Sequence, residues 1–314
     1  MKLIDVINAY VALQRSLGMK FDSAEHLLMQ FRRSMGNIPI DKVHPQEVAA
    51  FLQGKGQLST SWKYRYSVLS GFYRFAISRG YVGSSPLPVS RPKLPPAQSP
   101  YVYSTAELCK LIEATATLHD ARSRQQASTC RALILVLYGS GMRVGEALGL
   151  TLRDVDLVER VTTVRDSKFF KTRLVPIGPK LAQELAFHIE RRRQLPMPAG
   201  EDSAVFTTRT GRPLSYRHVF RLFQRLRRAA GIVCPTGEPR PPRLHDLRHT
   251  AAVHRVLAWY GAGKDVQRLL PQLATYLGHA DIRSTQPYLH MIPELLHEAS
   301  RRFAQYALQG GGHD

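Results

Sequence analysis

Apolar residues recur every three to four positions through the first eighty residues. Val6, Tyr10, Leu13 and Leu17 form one series, Leu27, Leu28 and Phe31 a second, and Val48, Phe51 and Leu52 a third. That period marks helices burying one face. His44-Pro45-Gln-Glu opens the third helix, because proline is tolerated at the first helical position. Ser59-Thr60 caps a fourth, which runs to about Arg79 before Gly80. Beyond residue 100 the pattern mixes. Thr105-Ala-Glu-Leu opens a helix, Ala127 to Tyr138 reads as a buried one, and Gly139, Gly141 and Gly145 punctuate a turn into a short one. Between Leu157 and Ile177 the pattern becomes strand-like: Val158, Val161 and Val164, then Leu174, Val175 and Ile177. This predicts a hairpin whose loop holds Lys168 and Lys171. Further helices are predicted at about 180–195, 215–230, 246–260, 265–277 and 290–308. The expected fold is mostly α with a small antiparallel β-sheet, without internal repeats.

The segment from Ser84 to Pro100 holds prolines 86, 88, 92, 95, 96 and 100, which excludes a helix or a central strand. It reads as an extended linker, so the predicted organisation is a helical domain over 1–84, a proline-rich linker over 85–100 and a second domain over 101–314. Charge then adds a partner. The chain has 44 Lys and Arg against 24 Asp and Glu, a net charge of +20. Residues 1–100 carry 13 basic and 5 acidic side chains, net +8, and residues 101–314 carry 31 and 19, net +12. Both domains are basic, which suits a clamp closing on DNA from two sides; an anionic membrane surface is the second candidate. The longest wholly apolar run, Ala132 to Tyr138, is far below the roughly 20 residues that span a bilayer, and the N-terminus carries no stretch apolar enough for a secretory signal. Cys109, Cys130 and Cys234 are widely spaced, with no CxxC, so neither a zinc site nor a disulfide framework is indicated. A reduced, cytoplasmic setting is expected.

Four segments could carry chemistry. In Tyr138-Gly-Ser-Gly-Met-Arg143-Val-Gly-Glu146 a glycine-rich turn feeds a helix, so free backbone N–H groups and a guanidinium fork can meet an anion. The alternative is a surface pair of Arg143 with Glu146 at i,i+3. In His245-Asp-Leu-Arg248-His249, His245 and Arg248 share a helix face, while His245 and His249 have metal-ligand spacing. A zinc protease would need a glutamate between them, and a neighbouring cation repels a metal. In Tyr276-Leu-Gly-His279 to Tyr288, a helix ends and another starts, with Tyr288 nine residues after His279. In the helix from Ser215 to Arg228, Arg217, Arg221, Arg225 and Arg228 form one stripe, and Val219, Leu222, Phe223 and Leu226 another. A stripe of four arginines suits phosphate contact, with Arg217 able to reach a guanine edge. Lys63, Arg65 and Arg74 on the fourth helix are a second candidate DNA face, whereas Arg191-Arg-Arg193 reads as a solvated run.

Taken together these residues resemble the tyrosine site-specific recombinases, the phage integrase family, over the whole length of the chain. The resemblance implies a helical, SAM-like N-terminal DNA-binding domain and an α+β catalytic domain. It places the family's first arginine on Arg143 with its supporting acid on Glu146, the hairpin lysine on Lys168, the His-x-x-Arg pair on His245 and Arg248, the Leu-Gly-His histidine on His279, and the nucleophile on Tyr288. The hairpin loop Ser167-Lys-Phe-Phe-Lys-Thr172 lacks the glycine such loops often have, and Lys171 rivals Lys168.

The implied reaction needs a stabilised five-coordinate phosphorus, a deprotonated nucleophile and a protonated leaving oxygen. Arg143 and Arg248 would grip two non-bridging oxygens and remove the need for a metal. His245 and His279 would bond those oxygens or take the Tyr288 proton, and a hairpin lysine would protonate the 5′ oxygen. No cofactor is expected. The family assembles four protomers on two duplexes at double-stranded recombination sites. The segment Pro293 to Leu308, with its stripe of Leu295, Leu296, Ala299, Phe303 and Leu308, resembles the tail helix the family docks on a neighbouring protomer; packing on its own domain is the alternative. A non-catalytic DNA-binding regulator of the same descent and a type-IB topoisomerase are the competing functions.

Overall fold

A computed structural model describes residues 1–56, 58–95, 100–118, 124–165, 172–234 and 240–278. The chain divides into two compact units, Met1–Gln98 and Ser99–Asp314. None of the described helices is long and apolar enough to cross a membrane.

The first unit is built of helices α1 (Leu3–Ser16), α2 (Asp22–Met35), α3 (Pro45–Gln53) and α4 (Thr60–Ser78). Their buried faces are Leu3, Val6, Ile7, Tyr10 and Val11 on α1, Leu28, Phe31 and Met35 on α2, Val48 and Leu52 on α3, and Trp62, Leu69, Phe72, Tyr73 and Ala76 on α4. The inward stripe of α1 therefore starts at Leu3 and ends by Val11; Leu17, expected within it, lies beyond the helix and is 67% exposed. Ser59 caps α4 by accepting the Ser61 amide. The proline-rich segment is strapped to this unit. Leu87 and Leu94 pack on its core, the Tyr66 hydroxyl donates to the Pro88 carbonyl, and the Arg91 guanidinium lies 4.6 Å from the Tyr66 ring centroid.

The second unit contains α5 (Thr105–Glu113), α6 (Arg124–Ser140), α7 (Val144–Leu148), α8 (Pro179–Arg193), α9 (Tyr216–Ala229), α10 (Asp246–Gly261) and α11 (Val266–Leu277). Its sheet has strands β1 (Val155–Asp156), β2 (Val161–Val164) and β3 (Arg173–Pro176), antiparallel in the order β1-β2-β3. Val161 pairs with Pro176, and Val164 with Arg173 at the loop end of the hairpin. Val158 does not join a strand. It sits in the turn between β1 and β2 at 88% exposure, because Asp156 accepts the Val158 and Glu159 amides and folds the chain back.

Helix α6 runs through the main core, contributing Leu133, Ile134, Val136 and Leu137. A smaller cluster of Ala252, Val253, Val256, Val266, Leu270, Leu273 and Leu277 joins α10 to α11. The arginine run at the end of α8 is not uniformly solvated. Arg192 is 2% exposed and donates from Nε to the Ala204 carbonyl, fastening the following loop to the helix.

Candidate active site and nucleic-acid face

The glycine turn after α6 is dictated by close approach. Gly141 has φ +63°, and a Cβ there would fall 2.7 Å from Cδ2 of Leu277. A side chain at that position is thus opposed by both backbone strain and contact with α11. The turn aims the Gly141 carbonyl at Arg248, which donates to it from Nη1 at 2.7 Å. Arg248 also donates from Nη2 to the Leu277 carbonyl at 2.7 Å and is 3% exposed.

Arg143 occupies the N-cap position of α7 rather than its first turn. Glu146, three residues on, folds back to accept the Arg143 amide at 2.9 Å and Nη1 at 2.7 Å. Arg143 Nη2 reaches the Gly278 carbonyl at 3.0 Å, while 34% of its side chain stays exposed. The i,i+3 pair read from the sequence exists, and the arginine also faces outward. Arg173, at the start of β3, donates to Oε1 of Glu146 at 3.1 Å and to Oε2 at 2.8 Å. Burial acts to raise the Glu146 pKa, but the bonds from Arg173 and Arg143 outweigh it and bring it down to about 2.

His245 precedes α10 and is solvent-exposed. Its local desolvation, then the charge of Arg248, lower its pKa; Arg243 and Arg143 act in the same direction and Asp246 opposes. Its imidazole is therefore kept neutral at neutral pH and can accept a proton. The His249 ring stands edge-on to it at 4.9 Å, and desolvation followed by His245 brings the His249 pKa down to about 4. Among the described residues no group of three or more His, Cys, Asp or Glu could hold a metal ion.

The turn that presents His245 is locked by Asp246, 1% exposed, which accepts the Arg243 amide at 2.7 Å and its Nη2 at 2.8 Å. Thr250 donates to the Asp246 carbonyl and accepts the Tyr103 amide. Asp246 and Arg173 are not among the site residues predicted from the sequence. The repeated Arg-x-x-Asp/Glu spacing of 243/246 and 143/146 was a usable signal for Asp246. Arg173 offered none, since its partner lies 27 residues away.

Lys168, Lys171, His279 and Tyr288, and the predicted tail helix over 293–308, lie outside the described residues. Their neighbours are described: Val164 and Arg173 close the hairpin that carries the lysines, and Gly278 directly precedes His279.

On α9, Arg217, Arg221, Arg225 and Arg228 are all exposed, while Val219, Leu222, Phe223 and Leu226 are buried. Tyr216 and Phe220 stack beside the stripe, with ring centroids 6.4 Å apart. On α4, Lys63 and Arg74 are exposed, but Arg65 is engaged within its unit. Its Nη1 donates to the carbonyls of Phe51 and Leu52, the last turn of α3. Gly54 makes room, because a Cβ there would fall 2.0 Å from Arg65 Nη1.

With this geometry in place, the sequence comparisons identify the class. Residues 104–294 match the model of the phage integrase family, a span that takes in Arg143 through Tyr288. The chain belongs to that family. It is 33% identical over 302 residues to a putative integrase/recombinase, y4rB, of Sinorhizobium fredii, covering 94% of this chain and 95% of the relative. It is 28% identical to the tyrosine recombinase XerC of Thermodesulfovibrio yellowstonii, over 80% of this chain and 79% of that one. In fold it is similar to a lambda integrase tetramer solved on a Holliday junction, with TM-score 0.68 and 20% identity, over 92% of this chain and 77% of that chain.

Proposed function

We propose that this protein is a site-specific DNA recombinase that breaks and rejoins strands through a 3′-phosphotyrosine on Tyr288. The observation that carries this reading is the meeting of Arg143 and Arg248 on adjacent carbonyls, Gly278 and Leu277, at the end of α11. Two permanent cations are held there by fixed acceptors, one residue ahead of His279. Such preorganised donors stabilise charge developing on a phosphoryl group without reorganising as it forms.

In the proposed step the Tyr288 phenolate oxygen bonds to phosphorus as the bond to the 5′ oxygen breaks. The phenolic proton passes to a neutral histidine or to water, and Lys168 protonates the departing 5′ oxygen, with Lys171 as its rival. The phosphotyrosine ester conserves the energy of the broken bond. Attack by a second 5′ hydroxyl therefore reseals the strand without ATP, and the arginines supply the positive charge that a metal would otherwise bring. Arg217, Arg221, Arg225 and Arg228 contact phosphates, with Lys63 and Arg74 from the first unit. Arg65 fits that role least, since its guanidinium already caps α3. The active assembly is four protomers on two duplexes, with the 293–308 helix docked on a neighbour, in the cytoplasm.

The test is a nicked duplex carrying the recombination site, found by footprinting DNA that flanks the gene. Tyr288→Phe is expected to bind this duplex like the unsubstituted protein and to form no covalent complex. An adduct with Tyr288→Phe overturns the assignment. Binding without any adduct by the unsubstituted protein favours the non-catalytic regulator.

A further inference from the structure

Three arginines converge on the carboxyl end of α11. Arg173 Nε donates to the Tyr276 carbonyl at 3.3 Å, Arg248 Nη2 to Leu277 at 2.7 Å, and Arg143 Nη2 to Gly278 at 3.0 Å. Carbonyls in the last turn of a helix have no partner within it and carry the negative end of its dipole. Arg143 and Arg248 fall on the family's motif, whereas Arg173 is not among the site residues predicted from the sequence.

Its surroundings are built for it. Gly278 has φ +69°, and a Cβ there would fall 2.8 Å from the Arg173 guanidinium. The other edge of that guanidinium grips both oxygens of Glu146, and the side chain is only 13% exposed against 34% for Arg143. Arg143 therefore faces outward while Arg173 faces the carboxylate. Glu146 Oε2 accepts from Arg173 and from the Arg143 amide, and Oε1 from the side chains of both arginines. Removing Arg173 takes away two of the four bonds described on the carboxylate and leaves it to the Arg143 amide and Nη1 alone, so its hold on Arg143 loosens. Arg173 is also the β3 partner of Val164, the last pair before the segment that contains Lys168.

We propose that Arg173 is a positioning residue for strand cleavage. It fixes Glu146 and through it the guanidinium of Arg143, and it ties the loop end of the β2–β3 hairpin to the carboxyl end of α11. The proposal rests on Arg143 being a phosphate ligand, as argued above. A purely structural ion pair would instead contribute to stability alone.

The experiment measures single-turnover covalent-complex formation on the nicked duplex at saturating protein. Duplex affinity by gel shift and thermal unfolding are measured on the same preparations. Arg173→Gln is expected to slow cleavage about 10²-fold, the scale of loss from small misplacement of a catalytic group, with affinity unchanged within about threefold. Arg173→Lys keeps the charge without the fork and recovers part of the rate. Glu146→Gln slows cleavage similarly, and the double variant is no slower than the worse single one, because Arg173 acts through Glu146.

A pH series separates positioning from mere stability. Among the described residues the charged groups bonded to Glu146 are Arg143 and Arg173. With Arg173 gone, the burial of Glu146 is opposed by fewer bonds, so its pKa rises and the deficit relative to the unsubstituted protein widens as pH falls. Cleavage by Arg173→Gln within about threefold of the unsubstituted rate overturns the proposal alone. So does a pH-independent deficit that tracks the loss of Tm. Failure of the unsubstituted protein to form any adduct overturns the functional reading and this inference together.

Discussion

The second unit uses arginine in two opposite ways. Around the end of α11, Arg143, Arg173 and Arg248 are bound to carbonyls, the first two also to Glu146, and Arg248 is almost wholly buried. Along α9, Arg217, Arg221, Arg225 and Arg228 project into solvent from a helix whose other face is core. A guanidinium held by fixed acceptors has one position and presents its remaining donors in a set direction. One in solvent has many positions and acts as a diffuse charge, screened by salt. The first arrangement suits a reaction that must stabilise a particular geometry, the second a partner whose whole backbone is charged.

The largest effect expected from breaking this contrast is at Arg248. Arg248→Ala should lower single-turnover cleavage about 10³-fold and destabilise the fold by about 2 kcal/mol, because it leaves the buried Gly141 and Leu277 carbonyls without this donor. Chemical denaturation and adduct kinetics check both. Gly141→Ala comes next. It forces a side chain into a positive-φ site against Leu277 and should cost about 1–2 kcal/mol, with cleavage falling because the carbonyl that seats Arg248 shifts.

For the exposed set the signature is ionic strength. Each of Arg217→Gln, Arg221→Gln, Arg225→Gln and Arg228→Gln should reduce the slope of log affinity against log salt by about 0.9 while leaving Tm unchanged. A slope unaffected in all four would remove α9 from the DNA face. The smallest effects compare Arg65 with Lys63. Arg65→Ala should lower stability by about 1 kcal/mol through the lost cap on α3, and Lys63→Ala should not.

Acid sensitivity follows from Glu146. Its folded pKa, about 2, lies below its ordinary value of 4.5, so the folded state favours the ionised form. The stability this contributes is complete above about pH 5 and is lost progressively as pH falls through 4.5 toward 2. The stability difference between the unsubstituted protein and Glu146→Gln should therefore be flat from about pH 8 to pH 5 and shrink below that.

The two arginine sets were not equally legible. The α9 stripe stands in the sequence as a four-residue period, and its exposure follows from the apolar stripe beside it. The i,i+3 spacings of Arg143 with Glu146 and of His245 with Arg248 are likewise local. What could not be read were acceptors without a letter of their own. The carbonyls of Gly141, Tyr276, Leu277 and Gly278 are backbone, and they meet arginines as much as 135 residues away. Arg65 and Arg192 looked like surface cations for the same reason. Each is bound to the backbone of a neighbouring segment that packing, not sequence proximity, brings near. Val158 misled in the other direction, because its β-branched side chain reads as strand while Asp156 folds a turn there.

Catalysis through Tyr288 is settled by isolating the covalent complex formed on the nicked duplex, digesting both components and sequencing the nucleotide-bearing peptide by mass spectrometry. The expected result is a phosphodiester-linked remnant on Tyr288, joined through the DNA 3′ end. A remnant on any other residue, or linkage through a 5′ end, would contradict it.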